Sequence, residues 1–554
     1  IKIQIWHTPC NLYLKQKSKK LKRLKDTKSI KTGVFNMANA NLFKSMVGKL
    51  LPSTNTKNEA GGNAYAFTPR HALAQYAMTG CLNHTFYSSA EMQLEKVLTT
   101  AQEIDDEFLA KLAIYSREQG AMKDMPAVLL AILAARQSAY FAVAFARVVN
   151  NGKMLRNFVQ IVRSGVTGRK SLGSRPKRLV QTWLNDASIN KLLNAAVGND
   201  PSLADVVKMV HPQPKNAEQA AVFAWLINKP FDVNALPKVI QDYELLKRGV
   251  SVDLPDVPFQ MLTHLNLTSN QWTSIGKNMG WQALRINLNT LLRHGVFNDA
   301  NMVNWVADRL RDEESIRKSK AFPYQLMMAY QAAKQEMPAP IVDALQDALE
   351  IALSNVPDLK GKKVVVCPDV SGSMQSAVTG YRKGATSSVR CIDVAGLVAA
   401  AMLRNNPQTV VLPFENKVVD IRLNSRDSVL TNAKRLASIG GGGTDCSAPL
   451  TWLNNQKSVV DVVIFVSDNE SWLRNYVYGA SETMRQWATI KQRNPKAKLI
   501  CIDIQPSAST QALDGEDILN IGGFSDEVFK LIGLFANNQL SANHWVEVID
   551  QVEL

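Results

Sequence analysis

Lys363-Val364-Val365-Val366-Cys367-Pro368-Asp369-Val370-Ser371-Gly372-Ser373 is the stretch on which the reading of this chain turns. A short β-branched apolar run reads as a buried strand, and directly after it a carboxylate and two hydroxyls alternate across a tight turn. Such hard oxygens suit a hard cation. Mg²⁺ takes octahedral oxygen ligation at about 2.1 Å and keeps several waters, so one loop does not complete a site and other loops must contribute. Two further pieces lie downstream: Thr444, at the entry of a helix after Gly440-Gly441-Gly442-Gly443, and Asp468, just past the apolar run at 462–466. Asp369, Ser371, Ser373, Thr444 and Asp468 are therefore the candidate ligands of a divalent cation, Mg²⁺ or Mn²⁺. Alone, Asp-Val-Ser-Gly-Ser reads more simply as a turn with capping hydroxyls; the two distant pieces favour the metal.

Working outward, strand patterns at 364–367, 410–414, 462–466, 499–504 and 518–521 alternate with helical patterns at 389–403, 428–437, 480–491 and 526–535. Alternation of that kind predicts a parallel sheet covered on both faces. The run at 417–421 follows 410–414 so closely that it predicts an antiparallel hairpin at one edge. In open sheets of this type ligands bind at the carboxyl ends of strands where strand order reverses, which is where Asp369, Ser371, Ser373 and Asp468 are expected.

From residue 68 to 355 the pattern is different. Apolar residues recur at three- and four-residue spacing, as in Phe108-Leu109-x-x-Leu112-Ala113 and Leu284-x-x-Asn287-Leu288-x-x-Leu291. Breaks fall at Gly120, Gly152, Gly198-Asn199-Asp200-Pro201, Pro212-Gln213-Pro214 and Lys229-Pro230. So long a series of short amphipathic helices is better served by stacked helical pairs in a curved solenoid than by one bundle. No strict repeat period is visible.

The formal charge of +16 is unevenly spread. Residues 1–36 hold ten basic side chains and one acid, 361–554 hold nineteen of each, and the remaining +7 falls on 37–360. A basic surface attracts polyanions, nucleic acid above all, in a salt-dependent way. Residues 153–185 carry Lys153, Arg156, Arg163, Arg169, Lys170, Arg175, Lys177 and Arg178 without one Asp or Glu. Eight uncompensated charges are expected to track a phosphate backbone, and Gly165, Gly168 and Gly173 allow close approach. An ordinary basic helix-loop is the plainer alternative. Trp281 is expected in the core and Arg285 on the surface. The Lys-rich Leu14–Lys31 reads equally as a solvated face; Met37-Ala-Asn-Ala-Asn resembles a natural start, so the first 36 residues are expected to be disordered or upstream sequence.

Six cysteines show no Cys-x-x-Cys pair, and Cys367 and Cys501 sit in apolar runs, which together suggest a reducing, cytoplasmic setting. No apolar stretch approaches the roughly 20 residues of a membrane span, and the tail is too Lys-rich for a secretion signal. The chain lacks Gly-x-x-x-x-Gly-Lys-Ser/Thr, and Glu470 has no accompanying His. A metallohydrolase would also want a second cation about 4 Å away. The chain is therefore not expected to be an enzyme.

The Asp369-Val370-Ser371-Gly372-Ser373 turn with Thr444 and Asp468 resembles the metal-ion-dependent adhesion site of von Willebrand factor A domains. With Gly442-Gly443-Thr444-Asp445-Cys446-Ser447-Ala448-Pro449, Asp468-Asn469-Glu470, Ala497-Lys498-Leu499-Ile500 and Gly522-Gly523-Phe524, it is more similar to the Ro autoantigen family, in a bacterial or phage form. That family joins a helical TROVE module to an A domain. In the helical half, Gly173-Ser174-Arg175-Pro176-Lys177-Arg178 before Trp183 resembles the family's basic helix, and Asp205-Val206-Val207-Lys208-Met209-Val210-His211 the helix after it. Gly80-Cys81-Leu82-Asn83-His84-Thr85-Phe86-Tyr87 departs from the family's Gly-Thr-Tyr-Tyr-like turn.

The resemblance implies an α plus α/β architecture: an irregular HEAT-like helical-repeat ring (TROVE, 53–358) followed by a doubly wound, Rossmann-like A domain (359–554). It also implies binding of small structured Y-like RNAs and of single-stranded 3′ ends of misfolded RNAs, in RNA quality control or stress response. Arg163, Arg169, Lys170, Arg175, Lys177, Arg178, Lys208 and His211 are the RNA-contact candidates, His211 alone reading more simply as a helix end. Implied partners are an exoribonuclease and an acidic protein ligand at the metal; no membrane is expected, and the chain is expected to be a monomer. A metal-dependent protein-adhesion module without RNA is the alternative, and it leaves the basic helical half unused.

Overall fold

The computed structural model describes residues 51–199, 201–319, 323–333, 336–353, 356–381, 389–472, 481–523, 525–540 and 544–554. The tail at 1–36 and Met37 lie outside the described residues, as do Cys10, Asp200, Asn355, Ala480 and Phe524, on which parts of the sequence reading fell. None of the described helices is long and apolar enough to cross a membrane.

The strands of the main sheet are β3 (Val364–Pro368), β4 (Val410–Val411), β5 (Val462–Ser467), β6 (Lys498–Asp503) and β8 (Ile518–Gly522), in the spatial order β4-β3-β5-β6-β8 and all parallel. Val364 pairs with Val462 and Pro368 with Val466, while Val462 pairs with Lys498 and Ser467 with Asp503. Alternate residues face opposite ways. Val364, Val366, Ile464, Val466, Ile500 and Ile502 join the core that runs on into the helical series. Val365, Cys367, Val463, Phe465, Leu499 and Cys501 pack instead with Leu450, Leu453, Met484, Trp487 and Ile490 of the helices Ala448–Asn455 and Glu482–Arg493. The sheet is buried on both faces, as uniformly apolar strands require. Cys367, Cys391, Cys446 and Cys501 are buried thiols outside any disulfide.

The hairpin expected at 417–421 does not form a strand. Only Phe414 and Val418 make an antiparallel bridge, and β4 ends at Val411. Pro413 offers a carbonyl to Val419 N at 2.8 Å but has no N–H to return, so the ladder stops there.

Helices run from Pro69–Thr79 to Ala339–Ala352. Their starts carry side-chain caps, each filling one of the amide groups a helix leaves open: Thr68, Ser89, Asp105, Asn151, Ser188, Ser202, Asn216 and Thr268 all accept from a backbone N–H of the first turn. Trp281 is buried and its Nε1 donates to Leu310 O at 3.1 Å. Arg285 is buried too, against expectation. Its guanidinium donates to Gln325 O at 2.8 Å and to the Gln282 side chain, and burial lowers its pKa to about 10.

A second, three-stranded sheet was not legible in the pattern. β1 (Thr56–Lys57) pairs with β2 (Asn63–Ala66), and β2 pairs antiparallel with β7 (Ser509–Thr510), which lies between β6 and β8 in sequence. Segment 56–66, which precedes the helices, is thus bound to the domain that follows them. Tyr65 is buried there, donating to Pro52 O at 2.9 Å and accepting from Ser481 N at 3.2 Å. The C-terminal helix His544–Asp550 in turn lies against the helices Pro69–Thr79 and Asp106–Glu118.

Candidate functional site

β3 and β5 are neighbours, and the chain leaves β3 toward β4 on one side and β5 on the other, so their carboxyl ends mark the reversal of strand order. Asp369 N donates to Val466 O at 2.9 Å, which sets its carboxylate beside the end of β5. One Asp369 oxygen accepts from Ser371 N at 2.8 Å and the other from Ser467 Oγ at 2.6 Å. Ser371 Oγ lies 3.3 Å from Ser373 Oγ, and the Thr444 hydroxyl donates to Ser371 Oγ at 3.0 Å. Asp468 interacts with the Ser373 hydroxyl and accepts from Glu470 N at 3.3 Å. The structure therefore brings Asp369, Ser371, Ser373, Thr444 and Asp468 together. All five are buried, none more than 4% exposed.

The glycine run explains how Thr444 gets there. Gly372 N donates to Gly442 O at 3.0 Å, and a Cβ on Gly372 would stand 3.1 Å from Gly441 O. Gly441 has φ +149°, a conformation that favours glycine. Glu415 completes the clamp by accepting from Gly442 N at 2.7 Å.

Burial, followed by the neighbouring Asp468 carboxylate, pushes Asp369 up to about 7; burial also raises Asp468. No Lys or Arg is among the groups acting on either carboxyl among the described residues. Two desolvated carboxylates and three hydroxyls without a cationic side chain are a donor set that a divalent cation would satisfy. Among the described residues no group of three or more His, Cys, Asp or Glu is arranged to hold a metal, so a thiolate- or imidazole-rich centre is not what this site offers. Behind the five stand two more buried acids. Glu470 is pushed up to about 8 by burial and then by Asp468, accepting from Ala60 N at 3.0 Å and from Ser507 Oγ at 3.3 Å. Asp503 is raised chiefly by burial.

Sequence reasoning missed Tyr87. Its half-buried phenol stands beside the Ser373 hydroxyl with Asp468, Glu470 and Asp369 close by. The one signal was that 80–87 departs from the expected turn.

The basic residues divide into two groups. Arg163, Lys170, Lys177 and Lys208 line one concavity of about 800 Å³ with Ser171, Gly173 and Ser174. The acid on its wall, Asp205, is engaged with Ser202 N at 3.0 Å and Ser202 Oγ at 2.7 Å in a capping box. Arg178 is exposed, and His211 is exposed in the left-handed conformation (φ 50°) that ends its helix. The other arginines hold carbonyls. Arg169 donates to Ala134 O at 2.6 Å, and Arg175 to Ser138 O at 2.6 Å and Ala139 O at 3.1 Å, at the end of the helix Asp124–Ala135. Arg156 is buried and donates to Val197 O at 2.7 Å, so it cannot track a phosphate backbone as expected.

Two family models match the chain: the Ro60 vWA domain over residues 363–536 and the TROVE domain over 255–351. The chain thus carries a TROVE domain and a Ro60 vWA domain. It is similar to the RNA-binding protein RO60 of Deinococcus radiodurans, 25% identical over 533 residues covering 88% of this chain and 97% of that protein. It is also similar to the RNA-binding protein RO60 of Caenorhabditis elegans, 26% identical over 255 residues, 44% of this chain and 38% of that one. The crystal structure of the Deinococcus radiodurans RO (RSR) protein shares the fold, with a TM-score of 0.58 at 22% identity, covering 85% of this chain and all of the other.

Proposed function

We propose that this protein is an RNA-binding ribonucleoprotein component. The observation that carries the reading is the convergence of Arg163, Lys170, Lys177 and Lys208 on one concave surface whose acid is occupied in a cap. Cations converging on a groove suit a folded RNA backbone, with orientation set by phosphate contacts. The relatives named as RNA-binding proteins support it. In finer terms, the ligands are small structured Y-like RNAs and the single-stranded 3′ ends of misfolded RNAs admitted through a helical ring. The protein then serves RNA quality control or stress response in the cytoplasm as a monomer, with an exoribonuclease as partner.

Replacing Lys170, Lys177 and Lys208 together with Ala tests this. Each lost phosphate contact removes roughly 0.7 to 0.9 from the slope of log affinity against log salt, so the triple variant's slope falls by roughly 2 to 3. Equal slopes in the two proteins would end the assignment.

A second role is favoured by the cradle. Asp369, Ser371, Ser373, Thr444 and Asp468 would hold Mg²⁺ or Mn²⁺, and a bound cation would supply a positive centre for an acidic group of a partner protein. Asp369→Ala with Ser371→Ala is expected to abolish Mg²⁺ binding in calorimetry and leave RNA affinity unchanged. Retained cation affinity refutes the ligand set; lost RNA binding in a folded variant assigns the cation to RNA.

A further inference from the structure

The loop between the helices Pro69–Thr79 and Ala90–Gln102 leaves the helical series and lies on the chain just past the cradle. Asn83 Nδ2 donates to Thr379 O at 2.8 Å, and Tyr381 N donates to His84 O at 2.7 Å in an antiparallel bridge. Contact is close: a Cβ on Gly380 would stand 2.7 Å from Asn83 Cβ and 2.8 Å from His84 O. From behind, Gln93 Nε2 holds Asn83 O at 2.8 Å, and Thr85 N donates to Ser88 O at 2.9 Å to close a turn. The turn itself delivers the phenol of Tyr87 to the Ser373 hydroxyl.

We propose that Tyr87 is a built-in occupant of the cradle mouth, a phenol supplied by the helical series that holds the place an incoming carboxylate takes. The inference rests on the cation reading above. It adds that docking of an acidic group at the cradle and the position of loop 80–88 are linked. The phenol lies beside Ser373 and among the Asp369, Asp468 and Glu470 carboxyls, so a carboxylate arriving there meets it first. A phenol can both donate and accept, so beside the Ser373 hydroxyl it fills a polar position at the cradle. Linkage is reciprocal: whatever holds the loop down weakens acidic docking, and acidic docking loosens the loop.

The test uses the full chain, Mn²⁺ and acetate as the carboxylate probe. Wild type and Tyr87→Phe are titrated with Mn²⁺ by calorimetry, with and without acetate, and hydrogen exchange of 80–88 is followed in wild type. Both proteins are expected to bind Mn²⁺ alone with similar affinity. Acetate should strengthen Mn²⁺ binding roughly five-fold more in Tyr87→Phe, the worth of one ordinary hydrogen bond. In wild type it should speed exchange across 80–88. Asn83→Ala, which frees the loop and keeps the phenol, should shift the acetate effect in the same direction. An equal acetate response in all three proteins overturns the occupant role and leaves the cation site standing. Much weaker Mn²⁺ binding in Tyr87→Phe overturns it in favour of a ligand role. No Mn²⁺ binding by wild type overturns both readings.

Discussion

Glu470 carries a pH dependence whose sign can be worked out. Its carboxyl has an ordinary value of 4.5 and is pushed up to about 8 in the fold by burial and by Asp468. Below 4.5 it is protonated in folded and unfolded chains alike, and burial costs nothing. As pH rises from there, the unfolded chain gives up the proton first, so stability falls until about 8 and then levels off. In chelator-treated protein, Glu470→Gln should therefore raise the thermal midpoint above pH 8 and leave it unchanged at the acidic end of that range. A gain independent of pH would mean that packing, not ionisation, is what the substitution changes. The same residue shows the limit of reading chemistry from sequence: Glu470 was visible as an acid near Asp468, but its burial and its bond from the Ala60 amide were not.

At the scale of the element, the helix Ser174–Asp186 separates two kinds of positive charge that look identical in sequence. Arg175 and Lys177 are two positions apart, yet Arg175 closes the carbonyls after the helix Asp124–Ala135 while Lys177 lines the basic concavity. Arg175→Ala should therefore cost about 1.5–3 kcal/mol of stability, the range for hydrogen bonds to a charged group, and leave the salt slope of RNA binding unchanged. Thermal unfolding alongside RNA binding at several salt concentrations distinguishes the two; a lowered slope at full stability would return Arg175 to the RNA face. The helical pattern itself was legible, because capping residues and three- to four-residue apolar spacing act within one turn. The role of each arginine was not, since it depends on a carbonyl 37 residues away.

On the scale of the whole molecule, β2 and β7 make the A domain incomplete without the segment that precedes the helices. A fragment of residues 356–554 is expected to unfold at a lower temperature than the full chain, and Tyr65→Ala in the full chain to cost about 3–5 kcal/mol, as for other buried aromatic truncations. Equal midpoints for fragment and full chain would show that the added sheet contributes nothing. By itself the sequence determined the alternation of strand and helix after residue 363, the helical series before it, and the oxygen-bearing side chains gathered at the ends of β3 and β5. These follow from side-chain periodicity and from turn chemistry, which operate over a few residues, and from the rule that places ligands where strand order reverses. Only the tertiary structure decided that Tyr87 stands at Ser373, that Arg156 and Arg285 are buried, that 417–421 is not a strand, and that Ser481 N meets the Tyr65 hydroxyl across 416 residues. Such contacts are chosen by which surfaces remain unpaired once the local elements have formed, and no local pattern in the chain records that choice.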